Sequence, residues 1–364
     1  MIMILDGRIH GGVMMDFKLL GYDEKFLSKI SQRLDSVVNS GFWSGGKYVN
    51  IIEEKFSSVY GMGSIACSSG GMALELVCKA LPQIKKIGVQ SNTYFASILP
   101  WLNNNNELVL IGSKEKSLTP SLEHIVEASE LGVDAILLTH IGGYPILEIK
   151  MISDFCNEKN ILLIEDCAHS PFTKIDDKYV GSFGDASVFS FFPTKPIPAG
   201  EGGMALFKNK SIARKVAAIR DYGKVYLDNK ILHKLPAVSN GRLNEFSAAI
   251  VQTFLENYEE IYLIKKNLAQ FYDKNIPSSL IYQRNLFDKQ ELSFYKYITF
   301  IKKNKYSVSN VYDKENQLYS ILKDNNIDFK FVGDNPFGVD HICLPLFPNM
   351  KESDLAKVLD ACEF

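Results

Sequence analysis

The chain is predicted to be an α/β protein in which helices cover a mainly parallel sheet, followed by a smaller α+β unit. Short apolar runs alternate with helical segments over residues 64–220, a pattern that favours parallel strands joined by helices. Several runs are apolar throughout, as in strands that are buried on both faces. At 364 residues the chain exceeds one average core, so two packed units are expected.

The composition is that of a soluble globular protein, with 46% hydrophobic residues, 23% charged residues and a formal net charge of −2. This balance gives no electrostatic footprint for nucleic acid. No apolar run approaches the ~20 residues of a membrane span, and the N-terminus lacks the pattern of a signal peptide. The cysteines are scattered without a C-x-x-C pair. We therefore predict a cytoplasmic protein without nucleic-acid, membrane or metal partners.

The elements of the first unit follow from the spacing of apolar residues. Recurrence every three or four residues predicts helices at residues 23–38, 49–60, 73–81, 93–102, 147–158 and 211–220. Thr119 and Pro120 predict a further helix start, with threonine as N-cap and proline in the first turn. Short apolar runs predict strands at residues 64–67, 87–90, 108–111, 133–139, 161–164, 186–191 and 204–207.

The second unit begins with a predicted long helix, residues 243–268, which would act as the hinge between the two units. Strands are predicted at residues 294–301 and 329–332, and helices at residues 311–325 and 352–361. The predicted domains are therefore residues 1–242 and residues 243–364.

Two strand ends carry the residues with the strongest chemical signal. The strand at residues 161–164 leads into Asp166, and the run at residues 186–191 leads into Lys195 and a glycine-rich turn. Ligands of open α/β sheets bind at the carboxyl ends of the strands. An acid and a lysine there would suit pyridoxal phosphate: the lysine would form the Schiff base, and the acid would keep the ring nitrogen protonated.

A turn of small residues, 68–71, precedes the helix predicted at residues 73–81. Free N–H groups at a helix N-terminus form a ready phosphate site. The alternative interpretation is an ordinary tight turn between a strand and a helix.

Taken together, these motifs resemble the DegT/StrS-type nucleotide-sugar aminotransferases, which are fold-type I enzymes dependent on pyridoxal phosphate. The resemblance covers residues 43–358 and is weakest over residues 265–335. It implies a mainly parallel seven-stranded sheet with a smaller C-terminal domain. The motifs that carry it, in family order, are residues 69–74, 93–97, 139–143, 165–169, 189–195, 201–203, 240–242 and 344–348.

The resemblance assigns catalytic roles to Lys195, Asp166 and His169. Lys195 would hold the cofactor and then move the proton between substrate and cofactor. Asp166 would pair with the pyridinium nitrogen, the alternative being a helix N-cap. His169 would donate a hydrogen bond to the phenolic oxygen of the cofactor, although a lone histidine is more often structural.

Further cofactor contacts are implied by the same resemblance. Tyr94 would stack on the cofactor ring, the alternative being an ordinary core aromatic. Ser190 and the backbone N–H groups of Gly71 and Met72 would hold the phosphate. Asn240 would reach the cofactor phosphate of a second subunit, which implies a homodimer with shared active sites.

The chain departs from the family pattern at three places. Gly71 stands where threonine is usual, so one hydroxyl contact to the phosphate is missing. Pro196 stands where asparagine is commoner. Residues 330–336 replace a histidine-tyrosine-proline stretch near the substrate, so this departure concerns the sugar pocket and not the chemistry.

The implied reaction moves an amino group from an amino acid, L-glutamate in our interpretation, to a nucleotide-linked 4-keto-6-deoxy sugar. Glutamate would leave as 2-oxoglutarate and convert the cofactor to pyridoxamine phosphate. The product would be a 4-amino-4,6-dideoxy sugar for surface glycans such as lipopolysaccharide O-antigen. The sequence Glu201-Gly202-Gly203 favours C-4 over C-3.

Other functions remain alternatives. A sugar dehydratase of this fold would carry histidine in place of Lys195, and a non-catalytic sensor would be expected to lose Lys195 or Asp166. A desulfurase or aldolase would lack the ordered motif set. The nucleotide, the stereochemistry of the amine and the pathway are left open by the sequence.

Overall fold

The structure is a computed structural model that describes residues 8–9, 13–14, 21–114, 117–227, 230–233, 239–283, 291–300, 318–336 and 341–360. The α-helices among these residues are α1 Glu24–Ser40, α2 Lys47–Tyr60, α3 Gly70–Ala80, α4 Leu99–Asn103, α5 Leu122–Glu130, α6 Ile149–Lys159, α7 Lys210–Arg220, α8 Glu245–Glu256, α9 Tyr258–Asn275, α10 Leu318–Asp324 and α11 Glu352–Asp360. The strands are β1 Arg8–Ile9, β2 Val13–Met14, β3 Gly63–Cys67, β4 Lys86–Gln90, β5 Glu107–Ile111, β6 Ala135–Thr139, β7 Leu162–Asp166, β8 Lys174–Ile175, β9 Lys178–Tyr179, β10 Ala186–Ser190, β11 Gly203–Phe207, β12 Lys224–Leu227, β13 Lys230–His233, β14 Tyr297–Thr299, β15 Lys330–Val332 and β16 Ile342–Leu344. None of the described helices is long and apolar enough to cross a membrane.

The central sheet confirms the predicted fold class. It has eight strands in the order β15-β5-β4-β6-β7-β10-β11-β3. The strands from β15 to β10 run parallel, and β11 is antiparallel to both of its neighbours. The sheet has one strand more than predicted because β15, expected in the C-terminal unit, pairs with the edge strand β5.

Two apolar layers bury the two faces of this sheet. Side chains of a strand alternate between faces, so β6 sends Ile136 and Leu138 into one core and Ala135 and Leu137 into the other. Helices α2, α6 and α8 contribute to the first core, and helices α3, α4 and α7 contribute to the second. Burial on both faces explains why the strands read as unbroken apolar runs.

The order of the strands reverses at β4, which lies between β5 and β6. The chain runs from β4 outward to β5 and then returns past β4 to β6. Such a reversal opens a crevice beyond the carboxyl ends of the strands, where ligands of open α/β sheets bind. The carboxyl ends of β4, β6, β7 and β10 therefore define where a site is expected.

The long helix predicted at residues 243–268 is wrong, because α8 and α9 are separate helices divided at Asn257. The Asn257 side chain donates to the Thr253 carbonyl at 2.7 Å and accepts from the Lys29 ammonium. Side chains of this type compete with the backbone ladder of a helix. The division of the chain into two domains at residue 242 stays a prediction.

Two further helix predictions fail near proline. Residues 93–102 form a 3₁₀ turn, Phe95–Ser97, followed by the short helix α4, which begins just before Pro100. A proline has no N–H for the preceding turn, so one continuous helix cannot run through this position. Helix α5 begins after Ser121, two residues later than the Thr119–Pro120 signal predicts.

The C-terminal elements pack into a separate apolar cluster. Strands β14 and β16 pair antiparallel, and α9 and α11 cover them. Strand β14 is shorter than the predicted strand at residues 294–301, since Phe294 adopts a left-handed conformation with φ 46°. Residues 301, 311–317 and 361 of the predicted elements lie outside the described residues.

Gly203 allows the closest backbone approach beside the predicted site. A Cβ on this residue would lie 2.8 Å from the Gly70 nitrogen and closer still to the Ser69 carbonyl. We expect Gly203→Ala to lower the free energy of unfolding by about 1–3 kcal/mol, because the turn before α3 must move. Chemical denaturation of the cofactor-free protein measures this.

The matched control for this substitution is Gly71→Ala. A Cβ there would meet only the Ser69 hydroxyl, at an ordinary 3.7 Å, and alanine favours helix over glycine. Equal stability losses in the two variants would contradict the packing argument.

Candidate active site

The predicted site residues meet at the carboxyl edge of the sheet. Asp166 is the last residue of β7 and is paired in register with Thr139 of β6 and Val188 of β10. Ser190 ends β10 and lies against the N-terminus of α3, because a Cβ on Gly70 would come within 2.8 Å of the Ser190 Cβ. One crevice thus contains both predicted strand ends and the predicted phosphate turn.

Asp166 is a buried carboxylate with few partners. It is 5% exposed, and it accepts hydrogen bonds from the Ala168 N–H at 3.0 Å and the Ser97 hydroxyl at 3.1 Å. Burial raises the pKa of Asp166, against the opposing effects of the Ala168 N–H, the Lys195 charge and the Ser97 hydroxyl. Residues 167–173 form turns and no helix, so the alternative role of Asp166 as a helix N-cap is wrong.

A chain of hydroxyl groups extends from Asp166 to the neighbouring strand. Ser97 shares a hydrogen bond of 3.0 Å with Thr93, and Thr93 shares one of 2.7 Å with Thr139 at the end of β6. The motif at residues 93–97 is part of the family resemblance, but no role was predicted for these hydroxyls. The sequence signal that could have indicated a role is that Thr93 and Ser97 are small hydroxyl residues close to Tyr94.

Lys195 lies in the same crevice, half-buried. Its Nζ is 5.1 Å from the centroid of the Tyr295 ring, and its backbone N–H donates to the Phe192 carbonyl at 2.9 Å. The Lys195 charge opposes the rise in the pKa of Asp166. The amine and the carboxylate that the sequence singled out are therefore brought into electrostatic contact.

The surroundings of His169 favour its neutral form. Burial and the charges of Lys195 and Lys296 hold the pKa of His169 well below its usual value. Its Nδ1 accepts a hydrogen bond from the Gly142 N–H at 3.2 Å, so the ring proton is assigned to Nε2. His169 can therefore donate a hydrogen bond to a group in the crevice, as its predicted role requires.

Tyr295 is a site residue that the sequence analysis missed. Its ring lies 4.5 Å from the His169 ring, and its hydroxyl shares a hydrogen bond of 3.3 Å with Thr194. Burial raises the pKa of Tyr295, but the charges of Lys195 and Lys296 outweigh this effect and the net shift is downward. The residue lies in the segment where the family resemblance is weakest, so no motif pointed to it.

The N-terminus of α3 offers backbone donors. Ser69 caps the helix by accepting from the Met72 N–H at 3.0 Å, whereas the Gly70 and Gly71 N–H groups lie in the first turn and have no intrahelical acceptor. Together with the Ser190 hydroxyl they form a small cradle in which neither glycine contributes a side chain. The predicted phosphate role of Met72 stays a prediction, in competition with the Ser69 cap.

Tyr94 and Asn240 lie at the surface of the single chain. Tyr94 is 67% exposed, so the alternative interpretation as a core aromatic is wrong. Asn240 is exposed and precedes Gly241, whose carbonyl accepts from the Ser68 N–H at 2.9 Å beside the phosphate turn. The roles proposed for Tyr94 and Asn240 stay predictions.

Glu165 directly precedes Asp166 and serves a structural purpose. Its completely buried carboxylate accepts from the N–H groups of Gly181, Phe183 and Gly184 at 2.7–2.8 Å. It also accepts from His140 Nε2 at 3.0 Å, while His140 Nδ1 accepts from the Ile146 N–H. This clasp fixes two loops around the end of β7. No role was predicted for His140 from the sequence.

The chain is similar in sequence to a known protein family and to several of its named members. The model of the DegT/DnrJ/EryC1/StrS aminotransferase family matches residues 25–339. A protein of Vibrio cholerae named GDP-perosamine synthase is 32% identical over 243 residues. These residues are 66% of this chain and 65% of that protein, so the chain spans just under two thirds of the length of this relative. The dTDP-3-amino-3,6-dideoxy-alpha-D-galactopyranose transaminase of Aneurinibacillus thermoaerophilus is 28% identical over 76% of each chain.

The fold is also found in solved structures. The E. coli GDP-4-keto-6-deoxy-D-mannose-3-dehydratase with bound hydrated PLP superposes with a TM-score of 0.81. The match covers 96% of this chain and 100% of that chain at 20% identity. At this identity the likeness establishes the common fold.

The raised pKa of Asp166 predicts a cost to the stability of the cofactor-free protein. A group whose pKa is higher in the folded state loses its stabilising contribution as pH rises through that folded-state value. We therefore expect Asp166→Asn to be more stable than the wild type at pH 7, with a difference that shrinks towards pH 4. Urea denaturation across this pH range measures it.

Asp177→Asn, at an exposed position in the turn between β8 and β9, is the control and should show no such trend. A wild-type protein as stable as Asp166→Asn at every pH would contradict the assigned shift.

The Glu165 clasp generates a second prediction. In Glu165→Gln an amide NH₂ would face N–H donors on whichever side it lies. We expect a loss of about 3 kcal/mol or more in the free energy of unfolding, because hydrogen bonds to a buried charge are lost and donors are left unpaired. Chemical denaturation should show under 0.5 kcal/mol for Glu158→Gln, whose side chain is 76% exposed. Similar losses in both variants would refute the clasp.

Proposed function

The chain belongs to the DegT/DnrJ/EryC1/StrS aminotransferase family, and from this membership we propose that it is a pyridoxal-phosphate-dependent aminotransferase of nucleotide-linked keto-sugars. The observation that carries the proposal is the meeting of Lys195, Asp166 and His169 in one crevice at the carboxyl edge of the sheet. An amine, a carboxylate and a neutral imidazole donor are the groups that this chemistry uses.

The residues of the crevice fit the cofactor. Asp166 is a buried acid whose ionised form lacks sufficient compensation, and a protonated ring nitrogen would supply the missing cation. Gly71 leaves open space at the N-terminus of α3, and Ser190 lies against Gly70 there, so this turn suits a phosphate. When bound, pyridoxal phosphate supplies an electron-withdrawing ring that stabilises negative charge on the substrate carbon.

Each side chain has a distinct part in the proposed reaction. Lys195 would hold the cofactor covalently, and its released amine would carry the proton to and from the substrate carbon. Asp166 would keep the ring nitrogen protonated; the Ser97 hydroxyl holds Asp166 in place, and Thr93 in turn positions Ser97. His169 would donate a hydrogen bond from its Nε2–H to the ring oxygen, and Tyr94 would stack on the ring.

The substrate assignment rests on relatives and on one motif. The two relatives described above are named for a GDP-linked amino sugar and for a dTDP-linked 3-amino sugar. We propose L-glutamate as the donor and a 4-keto-6-deoxy sugar as the acceptor, because Glu201-Gly202-Gly203 favours C-4. A 3-keto sugar is the second candidate, supported by the 3-amino relative. The product would enter surface glycan synthesis in the cytoplasm.

The single chain leaves part of the proposed site open. Tyr94 is 67% exposed, and Phe42 and Trp43 are 72% and 56% exposed. Large exposed aromatic side chains are enriched at interfaces between subunits. These residues and exposed Asn240 support the proposal of a homodimer in which each chain completes the site of the other.

Absorption spectroscopy tests the proposed function. The purified protein incubated with pyridoxal phosphate should show the absorption band of cofactor joined to Lys195. Addition of L-glutamate should shift this band to that of pyridoxamine phosphate, and a 4-keto-6-deoxy nucleotide sugar should reverse the shift. Lys195→Ala should show neither the band nor the shift, with a loss of turnover on the order of 10³-fold or more.

Lys208→Ala, which removes an exposed lysine beyond β11, is the control and should behave as the wild type. A wild-type protein that stays colourless with pyridoxal phosphate would overturn the proposal. A shift that only a 3-keto sugar reverses would select the second candidate.

A further inference from the structure

Lys265 is a buried cation without a visible counter-charge. It lies on α9 and is 8% exposed. Among the described contacts it has no carboxylate partner, and the charge that acts on its pKa is that of another cation, Lys296. Burial, and secondarily the charge of Lys296, lower the pKa of Lys265 to about 8. A buried lysine beside a second, half-buried lysine costs free energy unless an anion lies between them.

The packing of α9 shows where Lys265 points. Tyr262 lies 5.6 Å from the ring of Phe294, and Tyr272 lies 5.0 Å from the ring of Tyr297. Residues three and seven apart share one face of a helix. Lys265 therefore lies on the face of α9 that covers residues 294–297.

Lys296 connects this face with the candidate active site. Its Nζ lies 4.8 Å from the centroid of the Tyr295 ring, and its backbone N–H donates to the Gly142 carbonyl at 3.0 Å. Gly142 in turn donates to His169 Nδ1. The Tyr295 ring thus has the Lys195 ammonium at 5.1 Å and the Lys296 ammonium at 4.8 Å.

We propose that Lys296 and Lys265 form an anion subsite beside His169 that binds an oxyanion group of the substrate. The chemistry is that of a carboxylate or phosphate, and two sources are available: the distal carboxylate of a dicarboxylic amino donor, or the diphosphate of the nucleotide sugar. The inference rests on the proposed function for the identity of the ligand, but the charge arrangement stands without it.

The position of the subsite indicates a role in substrate preference. The pair adjoins the groups proposed to perform the chemistry, yet neither lysine is placed to replace Lys195 or Asp166. Two ammonium groups discriminate between substrates that carry an anionic group at this distance and substrates that do not. The subsite therefore sets substrate preference, and Lys296 and Lys265 are specificity residues.

Calorimetric titration of the cofactor-loaded protein tests this proposal. Glutarate serves as the probe for a donor carboxylate, and inorganic pyrophosphate serves as the probe for a diphosphate. Prior loading with pyridoxal phosphate keeps the probes out of the cradle at α3. We expect one probe to bind the wild type and to bind Lys296→Met about 10- to 100-fold more weakly, the loss typical of a hydrogen bond to a charged group.

Further variants separate binding from folding. Lys265→Met should weaken the same probe. Lys296→Arg should restore part of the affinity, which a merely structural role would not produce. Lys274→Met, at an exposed position in the last turn of α9, should bind as the wild type does. Lys296 is only half-buried, so its variants test the proposal even where Lys265→Met fails to fold.

The outcomes are decisive in each direction. Weaker glutarate binding alone assigns the subsite to the amino donor, and weaker pyrophosphate binding alone assigns it to the nucleotide. Unchanged affinities in Lys296→Met, or no binding of either probe to the wild type at millimolar concentration, overturn the proposal. The spectral response to glutamate is recorded on the same samples, so a failure of the proposed function is seen separately from a failure of the subsite.

Discussion

The hydrogen bonds of the Glu165 carboxylate hold together the edge of the sheet on which the site depends. This one buried group collects three backbone N–H donors from residues 181–184 and the imidazole of His140. It therefore fixes the loops that follow β6 and precede β10. Because successive side chains of a strand point to opposite faces, Asp166 is directed away from Glu165 and into the crevice. Of these two adjacent acids, Glu165 thus stabilises the loops and Asp166 faces the candidate active site.

The crevice itself is not arranged for the stability of the empty protein. Asp166 is buried with only a hydroxyl and one N–H as direct partners, while Lys296 and Lys265 have no balancing acid among their described contacts. Burying unequal charge costs free energy unless a ligand completes the set. A cationic ring nitrogen beside Asp166 and an anionic group beside Lys296 would balance these charges. The charge of each proposed ligand is thus opposite to the uncompensated charge of the residues that would bind it.

Much of the fold could be predicted, because strands buried on both faces leave an unmistakable apolar signature. All seven predicted strands of the sheet are present, and Asp166 and Lys195 lie together as strand-end chemistry requires. The ends of the helices were harder to predict from the sequence. Asn257 ends α8 through side-chain contacts that the pattern of apolar residues does not reveal. Tyr295 and Lys296 could not be found either. They reach the site from more than a hundred residues downstream of His169, through contacts that only the tertiary structure creates.

The division between predictable and unpredictable residues has a physical basis. Lys195, Asp166 and Ser190 sit on or beside the strands of a rigid sheet, where the backbone register fixes their separation. Tyr295 and Lys296 precede β14 in a segment outside that sheet, whose packing against α9 and Gly142 sets their position. A site built in this way can change its substrate by altering the outer segment while the chemistry on the strands stays intact. The family resemblance is weak over residues 265–335, which is expected if this segment sets substrate specificity and varies between members of the family.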